Sequence, residues 1–142
     1  MPTHAERRVV SHSPEQMYDL VADIEKYPEF LPWCVSVREK NRKGNVVEAE
    51  MAVGFKALRE GFSSRVTLTP KNRIEVEYLN GPFRRLTNHW VFLPHAKGCE
   101  IDFYIDFEFR SKLLQALMGA LFNEAVRMMV RAFEARANRL YG

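Results

Sequence analysis

The side chains best suited to moving a proton are His89, Asp102, Asp106 and Glu108. A general acid or base needs reach to a substrate and a matched pKa, and little else if a shaped chamber holds the substrate. The three acids alternate with Ile101, Phe103, Ile105, Phe107 and Phe109. They therefore fall on the polar side of a strand, where pairing with surface arginine and lysine is the expected role. His89 adjoins Trp90 and reads as a rim or core histidine rather than a base. The chain has no nucleophile elbow, no phosphate-cradling glycine loop, no dinucleotide fingerprint and no histidine pair at metal spacing. Cys34 and Cys99 stand alone and far apart, which indicates reduced structural residues and neither a zinc site nor a disulfide framework.

Binding chemistry is better represented. Large rings recur on one side of several period-two stretches, with Ser64 and Asn88 as polar points on the same side. An apolar chamber with few polar groups has the composition of a small-molecule site. Its walls would be Trp33, Met51, Val53, Phe62, Ser64, Val66, Asn88, Trp90, Phe92, Phe103 and Phe107 before the last helix, and Leu114, Leu117, Met118, Leu121 and Phe122 on it. The same pattern also suits a solid core in which Ser64 and Asn88 satisfy backbone groups, because periodicity does not register a void.

The elements that must position these residues follow from period and punctuation. Leu114, Met118, Leu121, Ala125, Met129, Phe133, Ala137 and Leu140 recur every three or four residues, which predicts one helix from Ser111 to Leu140 with Ser111 as its cap. Its first half is more apolar than a single contact with a sheet would bury, so a loop, a partner or a ligand must cover the excess. A short strand, Ala5 to Val10, opens the chain. Ser13-Pro14-Glu15-Gln16 has the form of a capping box with proline at the first helical position. Pro28 and Pro32 bracket Glu29-Phe30-Leu31 and leave room for only a second short helical turn. From Trp33 to Phe109 the period is two, and turn residues at 41–45, 70–72, 80–82 and 95–98 divide this span into about six antiparallel strands. Gly54 to Gly61 sets Phe55 and Leu58 beside Lys56 and Arg59 between two glycines, which suits either a flexible lip or an ordinary hairpin. The fold class is α+β: a curved antiparallel sheet of six to seven strands wrapped around a long C-terminal helix, with two short helices after the first strand.

Composition agrees with one domain spanning residues 1–142. The chain is 46% hydrophobic and 27% charged, enough for a real core and ordinary for a globular protein. No apolar run reaches the ~20 residues of a membrane span, and the start is too short and polar for a signal peptide. A net charge of +3 permits an acidic partner such as RNA or an anionic membrane. Aromatics are not interleaved with the basic clusters, so no DNA partner is expected and nucleic-acid stacking is little supported.

Four stretches in order carry a resemblance: Val21-Ala22-Asp23-Ile24-Glu25-Lys26-Tyr27-Pro28-Glu29-Phe30-Leu31-Pro32-Trp33-Cys34, then Gly81-Pro82-Phe83 with Trp90 and Phe92, then Phe107-Glu108-Phe109-Arg110-Ser111, and Ala132-Phe133-Glu134-Ala135-Arg136-Ala137. The chain resembles the coenzyme Q-binding protein and ribosome association toxin family over nearly its whole length. The resemblance implies the helix-grip fold of the START and polyketide cyclase superfamily. It also implies a non-catalytic protein that needs no cofactor and binds ubiquinone, with the alternatives of a toxin acting on the large ribosomal subunit or a cyclase-type enzyme. Pro32-Trp33-Cys34 and Phe109-Arg110-Ser111 look closer to the quinone-binding branch. On that reading Phe30, Leu31, Phe55, Lys56, Leu58 and Arg59 would form the cavity mouth and a transient contact with an inner membrane. The expected location is cytoplasmic, peripheral to that membrane. Oligomeric state and any antitoxin are not legible.

Overall fold

The computed structural model describes residues 3–31, 33–55 and 58–142; the side chains of residues 55, 58, 118 and 120–123 lie outside the description. The order is β1 (Thr3–Val10), α1 (Pro14–Ala22), a 3-10 turn (Ile24–Glu29), β2 (Cys34–Lys43), β3 (Val46–Phe55), β4 (Leu58–Thr69), β5 (Arg73–Asn80), β6 (Phe83–His95), β7 (Gly98–Phe109) and α2 (Lys112–Tyr141). All strands join one antiparallel sheet in the order β1-β7-β6-β5-β4-β3-β2. Only β1 leaves chain order, crossing over to pair with β7.

Local chemistry sets the helix ends as the sequence predicts. The Ser13 hydroxyl accepts from the Gln16 N–H at 3.1 Å and the Ser13 N–H donates to Gln16 Oε1 at 3.0 Å, a complete capping box. Ser111 Oγ accepts from the Leu114 N–H at 3.2 Å to start α2. The second short helix differs from the expectation: it runs from Ile24 and contains Pro28 instead of following it. Buried Tyr27 holds this turn in place. Its hydroxyl donates to the Val21 carbonyl and its own carbonyl accepts from the Leu31 N–H at 2.8 Å.

The Gly54–Gly61 segment is also shorter as a loop than expected. Strand pairing continues through Gly54↔Arg59 to Phe55↔Leu58, so the two glycines sit within the ladder. The described strands are thus paired up to Phe55 and Leu58. Lys56 lies outside the described residues.

α2 packs on the sheet face that carries Trp90 and Phe103. One cluster joins Val10 of β1, Val47 and Ala49 of β3, Met17 and Val21 of α1, and Met129, Phe133 and Ala137 of α2. A second gathers Phe83, Leu86, Phe107, Phe109 and Val126. Two glycines allow close approaches at opposite ends. At Gly98 (φ +144°) a Cβ would lie 2.5 Å from the Val10 carbonyl oxygen; at Gly81 (φ +148°) it would lie 2.6 Å from Phe62 Cβ. Among the described residues no helix is long and apolar enough to cross a membrane.

Candidate functional site

Between α2 and the sheet lies a cavity of about 210 Å³. Every strand from β3 to β7 contributes to it. Ala49, Met51 and Val53 come from β3; Phe62, Ser64 and Val66 from β4; Ile74 and Val76 from β5; Phe83, Leu86, Asn88 and Trp90 from β6; Phe103, Ile105, Phe107 and Phe109 from β7. Trp33 precedes β2, Ile24, Tyr27 and Leu31 come from the turn region, and Ala125, Val126, Met129 and Phe133 from α2. The walls hold rings edge to face: Trp90 meets Phe103 at 4.7 Å and Phe133 at 5.0 Å, and Phe83 meets Phe62 at 5.3 Å. Such geometry favours aromatic packing and presents ring faces and edges to an occupant.

Three polar groups interrupt this surface. Ser64 is 5% exposed, and its hydroxyl has no hydrogen-bond partner among the described residues. Asn88 spends one amide hydrogen on the Tyr104 carbonyl at 2.7 Å and retains the rest of its capacity. Trp33 Nε1 is shut from solvent without an acceptor among the described residues. A buried donor left unmade costs ~1–3 kcal/mol, so polar capacity is held here unused.

The sequence-predicted wall is placed as follows. Trp33, Met51, Val53, Phe62, Ser64, Val66, Asn88, Trp90, Phe103 and Phe107 line the cavity. Phe92 does not: it is fully buried beyond Trp90 and sets its ring edge-on to Tyr18 of α1 at 6.1 Å. Leu114 packs instead against the Phe83 cluster, and Leu117 is 39% exposed. The side chains of Met118, Leu121 and Phe122 lie outside the described residues. Of the expected mouth, Leu31 is 3% exposed and lines the cavity wall, and Phe30 packs on Phe133 at 5.2 Å beneath the Arg136 guanidinium. Neither presents a free apolar surface. Arg59 is exposed; the side chains of Phe55 and Leu58 are outside the description.

The residues missed on the sheet, among them Ile74, Val76, Ile105 and Phe109, carried the same period-two signal as those named. Ala125, Met129 and Phe133 belonged to the helical stripe. Ile24 and Tyr27 had no usable signal, since a 3-10 turn has no extended period.

The proton-transfer candidates sit elsewhere. Arg85 binds Asp106 at 3.0 Å and Glu108 at 2.6 Å, Arg7 approaches Asp102 at 3.7 Å, and His89 stacks on Tyr104 at 5.4 Å. The Arg85 guanidinium holds the Asp106 carboxyl below its usual range. Among the described residues, none of the four lines the cavity. Cys34 and Cys99 are buried free thiols, and burial pushes each up to about 11.

A family model described as polyketide cyclase / dehydrase and lipid transport matches residues 10–134. The chain is 36% identical over 137 residues to the ribosome association toxin RatA of Rickettsia prowazekii, covering 94% of each. It is 38% identical over 144 residues to the mitochondrial coenzyme Q-binding protein COQ10 homolog B of Xenopus laevis, covering 98% of this chain and 59% of that relative's length. The solution structure of the 18 kDa protein CC1736 from Caulobacter crescentus is 39% identical, with a TM-score of 0.82 over 100% of this chain and 99% of that one.

Proposed function

Because this chain belongs to the polyketide cyclase / dehydrase and lipid transport family, we propose that it is a non-catalytic binding protein for ubiquinone, held between the sheet and α2 and carried to or from a membrane in support of respiration. The observation that supports this reading most is the cavity itself, ring-lined and almost wholly apolar, with Ser64, Asn88 and Trp33 as sparse polar points. The Xenopus relative, a coenzyme Q-binding protein by name, supports the same ligand. A quinone ring matches such a site: it is flat and apolar on its faces and carries carbonyl oxygens that accept from the Ser64 hydroxyl, the spare Asn88 amide hydrogen or the Trp33 indole. On this reading the ring lies near Trp90 and Asn88. At ~0.8 kcal/mol per CH₂, burying one isoprene unit contributes about 4 kcal/mol. A volume of about 210 Å³ is below the ~300–1,000 Å³ usual for ligand pockets. It suits the ring and little tail, so a long tail leaves the protein.

The test is organic extraction of gently purified protein from a quinone-producing host, read by mass spectrometry and by the ultraviolet change on borohydride reduction. Near-stoichiometric ubiquinone is expected. Val66→Trp, which fills the cavity from β4, should lose it while circular dichroism stays native. A protein that is empty and also refuses short-tail quinone would overturn the reading.

A second reading has its own support. Arg127, Arg131 and Arg139 are exposed on the outer side of α2 and have no carboxylate partner among the described residues, and the Rickettsia relative is named for ribosome association. On this alternative the helix face binds the large ribosomal subunit. Co-sedimentation would be salt-sensitive, lost on Arg127→Glu with Arg131→Glu, and indifferent to Val66→Trp. A cyclase-type enzyme has the least support, since its candidate acids and base face away from the cavity.

A further inference from the structure

The first turns of α2 pose a problem that the cavity does not solve. Leu113 is 79% exposed and Leu117 39% exposed, and Ala116 and Gly119 beside them are also exposed. Single exposed leucines are ordinary on a soluble surface. This case differs in two respects. The sequence from Leu113 to Asn123 carries no charge, so no charged residue separates the exposed Leu113, Ala116, Leu117 and Gly119. The tip is also held rigidly outward: the Arg110 N–H donates to the Pro82 carbonyl at 2.9 Å, the Phe109 N–H to Gln115 Oε1 at 2.8 Å, and Ser111 caps Leu114. With Leu114 and Gln115 committed to the sheet, Leu113 and Leu117 cannot rotate inward.

We infer that this tip is a docking surface for an anionic lipid bilayer, with Leu113 and Leu117 entering the headgroup boundary and the surrounding cations meeting lipid phosphates. Cations outnumber acids around it. Lys112, Arg110 and Arg84 are exposed at the same end, and Arg59 lies three residues before Phe62, whose ring packs on Phe83 beside the helix start. Glu108, the acid nearest in sequence, is held by Arg85 at 2.6 Å and lies 4.0 Å from Arg84, which leaves Lys112 and Arg110 as the cations beside the leucines that pair with no carboxylate among the described residues. An apolar tip ringed by cations suits an interface in which buried area and attraction to anionic lipid add. A second copy of the chain fits less well, since two such tips meeting would oppose like charges. Position gives the surface a use: Leu114, between the two exposed leucines, packs on the Phe83 and Phe109 rings that also line the cavity.

The inference rests on exposed residues alone, although it gives the carrier reading a point of exchange. Its test is flotation of the full chain with equimolar phosphatidylcholine and phosphatidylglycerol vesicles, against pure phosphatidylcholine, for the wild type and for Leu113→Asp with Leu117→Asp. Wild type should float with the anionic vesicles, and the double variant should lose about tenfold or more of that association. Its circular dichroism and bound quinone should be unchanged, since neither residue lines the cavity. Lost flotation with retained quinone thus isolates the tip, whereas an empty cavity with intact flotation would count against the quinone reading only. Wild-type protein that ignores anionic vesicles, a double variant that floats as well as wild type, or a wild-type dimer dissociated by the two substitutions would overturn the inference.

Discussion

The two halves of α2 are made of similar residues and do opposite things. In the second half Val126, Met129, Phe133 and Ala137 are buried, and Phe133 sets its ring against Trp90, Tyr27 and Phe30. In the first half, where the sequence is more continuously apolar, Leu113 and Leu117 stand in solvent. Hydropathy alone therefore does not tell Leu113 and Leu117 from Met129 and Phe133. Burial depends on what lies opposite: the second half has β1, α1, the 3-10 turn and the middle of the sheet around it, while in the first turns Leu114 joins the Phe83 cluster and Leu113 and Leu117 do not.

The contrast is broken most strongly at Phe133. Phe133→Ala removes a ring that is 5% exposed and contacted by three others, and should cost about 3–5 kcal/mol in chemical denaturation. A loss below about 1 kcal/mol would mean that the second half is not the structural half. Leu113→Ser deletes a side chain of comparable hydrophobicity and should change stability by no more than ~0.5 kcal/mol. A larger loss would show that the tip is covered in solution.

The smallest effect concerns the Arg136–Glu29 pair, 2.9 Å apart, which ties the second half of the helix to the 3-10 turn. The Arg136 hydrogen bond, followed by the charge of Lys26, holds the Glu29 carboxyl below its usual range. A carboxyl depressed in the folded state adds stability above the ordinary carboxylate range, about pH 4.3, and that stability is lost as pH falls through the folded value. Arg136→Gln should therefore lower the neutral-pH plateau of the melting-temperature profile slightly and leave its acid end unchanged, which flattens the acid limb. Both groups of this pair are accessible to solvent, so screening keeps the effect small. An unchanged acid limb would show that the pair contributes nothing.

Much of the candidate site was legible because its walls are sheet faces. Alternation identified the inward side of β3, β4, β6 and β7, and Phe62, Ser64, Val66, Asn88, Trp90, Phe103 and Phe107 were named from it. Alternation also gave Phe92 the same orientation as Trp90, although Phe92 is spent against Tyr18 of α1. Depth along a strand is invisible to a period of two. On α2 the cavity meets Ala125, Val126, Met129 and Phe133 among the described residues and not Leu114 or Leu117, while the side chains of Met118, Leu121 and Phe122 lie outside the description.

By itself the sequence determined the capping box at Ser13, the start of α2 at Ser111, the strand faces and the placement of Asp102, Asp106 and Glu108 on the polar side, all properties of neighbouring residues and local backbone geometry. Only the tertiary structure decided that the inward faces enclose a cavity, that Trp33 carries an unmade hydrogen bond beside it, and that Leu113 is left in water. Each of those depends on the distance between surfaces supplied by segments far apart in the chain, and that distance is fixed when the sheet closes on the helix.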